Sequence, residues 1–105
     1  MADWIHLADA HDCPPGTAVE RVVAGRVVAL FNVGGTFHAI DGVCPHQGGP
    51  LAKGLLDGST ITCPWHGWQF DASTGRHRSA QTVTQRCFSV RVEGGEVFID
   101  MEGGS

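Results

Sequence analysis

Two short segments gather the residues of this sequence best able to do chemistry: Cys44-Pro45-His46-Gln47-Gly48 and Cys63-Pro64-Trp65-His66-Gly67. Each offers one thiolate and one imidazole, as Cys-x-His and Cys-x-x-His, with sixteen residues between His46 and Cys63. Two soft and two borderline donors in tight loops suit a metal centre. Pro45 and Pro64 stiffen the loops, while Gly48 and Gly67 let backbone N–H groups come close. Such amides donate hydrogen bonds to metal-bound sulfur. A Cys2His2 set also serves structural zinc. Zinc fingers, however, pair Cys with Cys and His with His at separate ends, whereas each box here is mixed, which makes zinc the lesser reading.

The elements that must position these boxes read as β-structure. Residues 18–23 and 26–32 are rich in β-branched side chains and are separated by Ala24-Gly25, a tight hairpin turn. The second run continues through Gly34-Gly35 into 36–40, and a further turn at Gly94-Gly95 joins 86–92 to 96–100. No segment carries a helical period. Between these flanking strands lies a different stretch, residues 42–72, dense in Gly, Pro, Cys, His and Trp, with short strand candidates only at 60–63 and 68–70. A loop-rich stretch this long inside a compact domain needs something besides its own secondary structure to hold it, and a metal centre supplies that constraint. The chain of 105 residues fits one domain spanning 1–105, with approximately 42–72 as its metal-binding subdomain.

The run Cys44-Pro45-His46-Gln47-Gly48-Gly49-Pro50-Leu51, together with Cys63-Pro64-Trp65-His66-Gly67-Trp68-Gln69-Phe70-Asp71, resembles the two boxes of Rieske proteins. The resemblance extends over nearly the whole chain, because that family sets such a loop unit on an antiparallel β base. It implies an all-β Rieske fold and one Rieske-type 2Fe-2S cluster. Cys44 and Cys63 would hold the inner iron, and His46 and His66 the outer iron at the protein tip. Exchanging two thiolates for two neutral imidazoles removes about two negative charges from the oxidised cluster and so favours an added electron. Each charge at ~4 Å and an effective dielectric near 20 is worth ~4 kcal/mol. The sum, ~8 kcal/mol, is of the order of the ~250 mV, or ~6 kcal/mol, that separates Rieske centres from plant-type ferredoxins.

High-potential members of the family carry a disulfide between the boxes and Ser and Tyr hydroxyls that hydrogen-bond the sulfurs. At the matching positions this chain has Gly49 and Trp65 for the cysteines, and Trp68 and Phe70 for the hydroxyls; it contains no Tyr. Fewer donors to the reduced centre imply a potential near the bottom of the Rieske range, roughly −150 mV. These features resemble those of the soluble Rieske ferredoxins of aromatic-ring dioxygenase systems. That resemblance implies a monomeric one-electron carrier, not itself an enzyme, between a flavin-dependent reductase and a terminal oxygenase. The alternative is the Rieske-like small subunit of an assimilatory nitrite reductase, a branch that often lacks the ligands present here. A zinc-stabilised interaction module is the third reading.

Eleven acidic against seven basic residues give a net charge of −4, which disfavours nucleic acid as a partner. No stretch approaches the ~20 apolar residues of a membrane span, and the first residues lack a signal-like pattern, so a soluble, cytoplasmic protein is expected. In that compartment four cysteines favour metal binding over disulfides. Cys13 and Cys87 lie outside the boxes and receive no role. His6, His11, His38 and His77 lack ligand-like spacing and read as polar strand or loop positions. Trp4 and Phe37 are expected in the core, and so are Trp65 and Trp68, whose alternative is an apolar docking rim with Pro50 and Leu51.

Overall fold

The computed structural model describes residues 4–44, 48–65, 67–78 and 84–104. Pro45, His46, Gln47 and His66 lie outside the described residues, so the two histidine ligands expected above have no structural account here. The chain runs as β1 (Trp4–Asp9), β2 (Ala18–Val23), β3 (Arg26–Val33), β4 (Thr36–Asp41), β5 (Leu55–Asp57), β6 (Thr60–Thr62), β7 (Gln69–Asp71), β8 (Cys87–Glu93) and β9 (Glu96–Gly104). Two short 3₁₀ turns, Ala10–Asp12 and Leu51–Lys53, are the only helical pieces among the described residues.

Six strands form one antiparallel sheet in the order β1-β9-β8-β4-β3-β2, and the three shortest form a second, β5-β6-β7. All three expected hairpin turns are present. Both central residues of each have positive φ, as turns that match strand twist require, and Ala24 takes φ 51° without being Gly. The larger sheet curls until its edge strands β1 and β2 approach one another.

Strand β3 explains how the two sheets are held together. Its side chains alternate between faces, and both faces are buried. Val28 and Leu30 point into the curled sheet with Leu7, Cys13, Ala39, Phe88, Val97 and Ile99. Ala29 and Phe31 point the other way, joining Ile40, Leu51, Ile61, Phe70, Ala72 and both box cysteines in a second core. The loop unit therefore packs on the outer face of the base through apolar side chains.

Two side chains depart from the sequence reading. Trp4, expected in the core, is 37% exposed: it opens an edge strand, and its ring lies 5.7 Å from the Arg91 guanidinium. Phe37 is half-buried and packs against the first core.

Candidate metal centre

Box 1 leaves β4 through Gly42, which passes so close to β3 that a Cβ there would sit 2.8 Å from the Val27 side chain and 3.1 Å from the Ala29 nitrogen. The Gly42 N–H donates to the Val27 carbonyl at 2.9 Å, and the Leu51 N–H returns to the Gly42 carbonyl at 3.0 Å. Inside that frame the loop closes on itself. The Cys44 N–H donates to the Gly49 carbonyl (2.8 Å) and the Gly48 N–H to the Cys44 carbonyl (2.9 Å), with Gly48 at φ +75°. Box 2 is the connection between β6 and β7, closed by the Cys63 N–H donating to the Trp68 carbonyl at 2.7 Å.

The loops meet at Gly49. A Cβ on this residue would lie 2.7 Å from Cys63 Sγ and 3.1 Å from Cγ of Trp65, so box 1 lies flat against the sulfur of box 2 because Gly49 has no side chain. Cys44 and Cys63 are each 1% exposed and belong to the same apolar core. None of the four cysteines is in a disulfide. The Trp65 N–H points at Cys63 Sγ at 3.4 Å, a donor placed to stabilise negative charge on that sulfur. Two buried thiol donors brought together from separate loops, with a glycine cradle and an amide donor beside them, fit a sulfur-ligated metal group.

Around the loops the expected rim divides. Trp65 is 49% exposed, against the core placement expected of it, while Trp68 is half-buried against the second core. Leu51 is fully buried and cannot join a rim, because the 3₁₀ turn it opens directs it into that core. His77, read from the sequence as a polar strand or loop position, places its ring edge-on to Trp68 at 4.8 Å and to Phe70 at 5.2 Å. His6 and His11, on β1 and in the turn that follows it, sit 3.5 Å from the carboxylates of Asp9, Glu96 and Asp12.

Three positioning residues had no signal in the sequence. Gln85 is buried, and its side-chain NH2 donates to the carbonyls of Asp41 (3.0 Å) and Val43, fastening the segment that enters box 1. Its backbone N–H donates to the Gly75 carbonyl at 2.7 Å, and at Gly75 (φ +76°) a Cβ would collide with the Gln85 carbonyl. Gly54 likewise lets the chain pass the Thr62 carbonyl one residue before Cys63. Two titratable groups beside the loops are shifted in opposite directions. Partial burial raises the Asp71 carboxyl, but hydrogen bonds from Ser73 and the charge of Arg78 outweigh it and hold Asp71 below the usual carboxylate range. Burial, with Asp71 beside it, pushes the Cys87 thiol up, which keeps it protonated and unlike a ligand.

Residues 3–93 match the model of the Rieske [2Fe-2S] domain family. The chain is 36% identical over 100 residues to the ferredoxin component of a naphthalene 1,2-dioxygenase system from Pseudomonas aeruginosa, covering 93% of this chain and 95% of that one. It is 38% identical over 99 residues to the 3-phenylpropionate/cinnamic acid dioxygenase ferredoxin subunit of Escherichia coli K12, covering 92% of each. A solved complex of reduced oxygenase and oxidized ferredoxin in carbazole 1,9a-dioxygenase contains a chain that superposes with a TM-score of 0.83 at 36% identity, again covering 92% of each.

Proposed function

The chain belongs to the Rieske [2Fe-2S] domain family, and we propose that it carries single electrons from a flavin-dependent reductase to a terminal aromatic-ring-hydroxylating oxygenase. Its cofactor is one Rieske-type 2Fe-2S cluster. We assign the ligands as Cys44, His46, Cys63 and His66, and the whole of 1–105 as one domain whose loop unit 42–72 holds them. The observation that carries the assignment is the convergence of Cys44 and Cys63, buried in one core from two separate loops, with Gly49 of box 1 against the sulfur of box 2.

When bound, the cluster supplies a reversible one-electron couple. The surrounding residues set how that couple is tuned and reached. The Trp65 N–H aimed at Cys63 Sγ favours the more negative, reduced state. Trp68 and Phe70 bring no hydroxyl to the sulfurs, which supports a potential at the low end of the Rieske range, roughly −150 mV. The core side chains Leu51, Ile61 and Phe70 exclude water from the cysteine side. Trp65, exposed next to His66, offers apolar surface where an oxygenase would dock.

The test is transfer between two partners. The purified holoprotein should accept one electron per chain from the reductase of a ring-dioxygenase system and lose it to the matching oxygenase. A protein that carries no iron, or that accepts electrons but passes them only to a co-purifying siroheme enzyme, would overturn the reading.

A further inference from the structure

The stretch from box 1 through the arm that follows β7 carries charge opposite to that of the rest of the chain. Residues 42–78 hold three cations (Lys53, Arg76, Arg78) against two carboxylates (Asp57, Asp71), a net +1. The rest of the chain holds four cations against nine carboxylates, a net −5, and the two together restore the −4 of the whole. The cations of the base are engaged locally. Arg21 lies 4.0 Å from Asp12, Arg26 is 3.6 Å from Asp41, and Arg91 is 2.8 Å from Glu93. Arg86 donates to the Met101 carbonyl at 2.8 Å. Arg76 and Arg78, by contrast, are exposed, and neither forms an ion pair with a described residue. Asp71, on the same face, has one carboxylate oxygen engaged by the Ser73 N–H at 2.9 Å and feels the charge of Arg78 without closing an ion pair, which leaves two cations against one carboxylate there.

The two arginines are placed on the arm that returns from box 2. Residues 76–78 run alongside β7, with the Asp71 N–H donating to the Arg76 carbonyl and the Arg78 N–H to the Gln69 carbonyl, both at 2.8 Å. Arg78 thus stands opposite a residue three positions past His66. Extended backbone sends alternate side chains to opposite faces. His77 turns its ring onto Trp68 and Phe70, and so Arg76 and Arg78 share the other face. Beside them is an open cavity of about 860 Å³, lined among others by Asp71, Arg76, His77, Arg78 and Cys87.

One group of three carboxylates is remote. Asp9 and Glu93 both stand opposite Glu96 at the β8–β9 hairpin. Cys87, which packs against Gly75 next to Arg76, begins the strand that ends at Glu93, six residues further on. At ~3.3 Å per residue that separation is about 20 Å. The Debye length is ~10 Å at 0.1 M salt, so a visitor at Arg76 and Arg78 meets their charge and little of the distant carboxylates.

Building on the carrier reading above, we propose that Arg76 and Arg78 form a docking face that selects redox partners through acidic side chains. A chain that is acidic as a whole thereby presents a basic surface to the protein it serves. Local charge of this kind steers encounter and fixes orientation more than it adds affinity.

The proposal makes two measurements come out against the net charge. First, poly-L-glutamate should bind the oxidised holoprotein at low salt, read by titration calorimetry. The pair Arg76→Gln, Arg78→Gln should weaken that binding about tenfold, and Glu93→Gln with Glu96→Gln should leave it unchanged. Second, the reduced holoprotein should be oxidised by anionic cobalt(III)–EDTA at a rate that falls as salt rises. In that step one electron passes to cobalt(III), giving cobalt(II), and no bond or proton on the protein changes. The pair Arg76→Glu, Arg78→Glu should reverse the sign of the salt dependence. A rate that rises with salt as −4 dictates, or poly-L-glutamate binding that is absent or indifferent to the arginine pair, would overturn the proposal while leaving the carrier reading intact. A chain that holds no reducible cluster defeats the carrier reading first, and calorimetry on that chain still reports on the arginine face.

Discussion

The base sheet and the loop unit are stabilised in different ways, and the difference shows how this protein separates folding from function. In the base, strands of six to nine residues pair along most of their length and enclose a core of their own. In the loop unit each strand has three residues, and the loops that carry the cysteines lie before β5 and between β6 and β7. Three-residue strands give too few ladder bonds to persist alone. What holds them is the shared core against Ala29, Phe31 and Ile40 and, by the ligand assignment, the cluster itself. The scaffold can therefore be stable while the working part depends on its cofactor.

Removing the cluster should break this comparison most visibly. After iron is stripped, amide exchange across Thr60–Asp71 should speed up by roughly a hundredfold or more, while β3 and β9 keep their protection. Equal loss in both regions would show one cooperative unit. Core truncation should come next. Phe70→Ala removes a fully buried ring and should cost about 3–5 kcal/mol, with loss of cluster occupancy. Ile99→Ala, buried in the other core, should cost about 2–5 kcal/mol in denaturant melts and leave the visible spectrum of the surviving folded protein unchanged.

Smaller effects sharpen the same contrast within the loop unit. Gly54→Ala pushes a methyl into the Thr62 carbonyl and should cost about 1–3 kcal/mol. Gly58→Ala meets open space, but at φ +60° it should still cost about 1–2 kcal/mol of backbone strain. Only the first should also disturb the cluster spectrum, because it displaces the residue before Cys63. The smallest effect concerns Asp71. Its carboxyl titrates lower in the folded chain than in the unfolded one, so its contribution is present above the unfolded value near pH 4 and disappears as pH falls through the folded value. Asp71→Asn should therefore lower stability at neutral pH by a few tenths of a kcal/mol and have no effect in acid, as thermal melts at several pH values would show.

The base was largely legible because its signals are local. Alternating β-branched runs and paired turn glycines mark β2, β3, β4, β8 and β9 to within a residue at most of their ends. Strand β1 escaped, since Trp4–Asp9 lacks a clean alternation and its partner β9 lies at the opposite end of the sequence. Strand β5 escaped because Leu55–Asp57 exposes its first leucine and is only three residues long. In the loop unit the sequence displays the donors but not what orders them. Nothing in the residue type of Gln85 shows that its amide spans Asp41 and Val43. Leu51 and Trp65 both belong to the boxes, yet one is sealed in the core and the other exposed, because backbone direction rather than hydrophobicity decides which way each turns.

The assignment of Cys44, His46, Cys63 and His66 as the ligand set is the claim on which the rest depends, and electron paramagnetic resonance of the reduced holoprotein tests it most directly. Two histidine ligands on one iron should give a rhombic signal whose average g value lies below that of an all-cysteine 2Fe-2S centre, and His66→Cys should raise that average. A wild-type signal of the all-cysteine type would contradict the assignment.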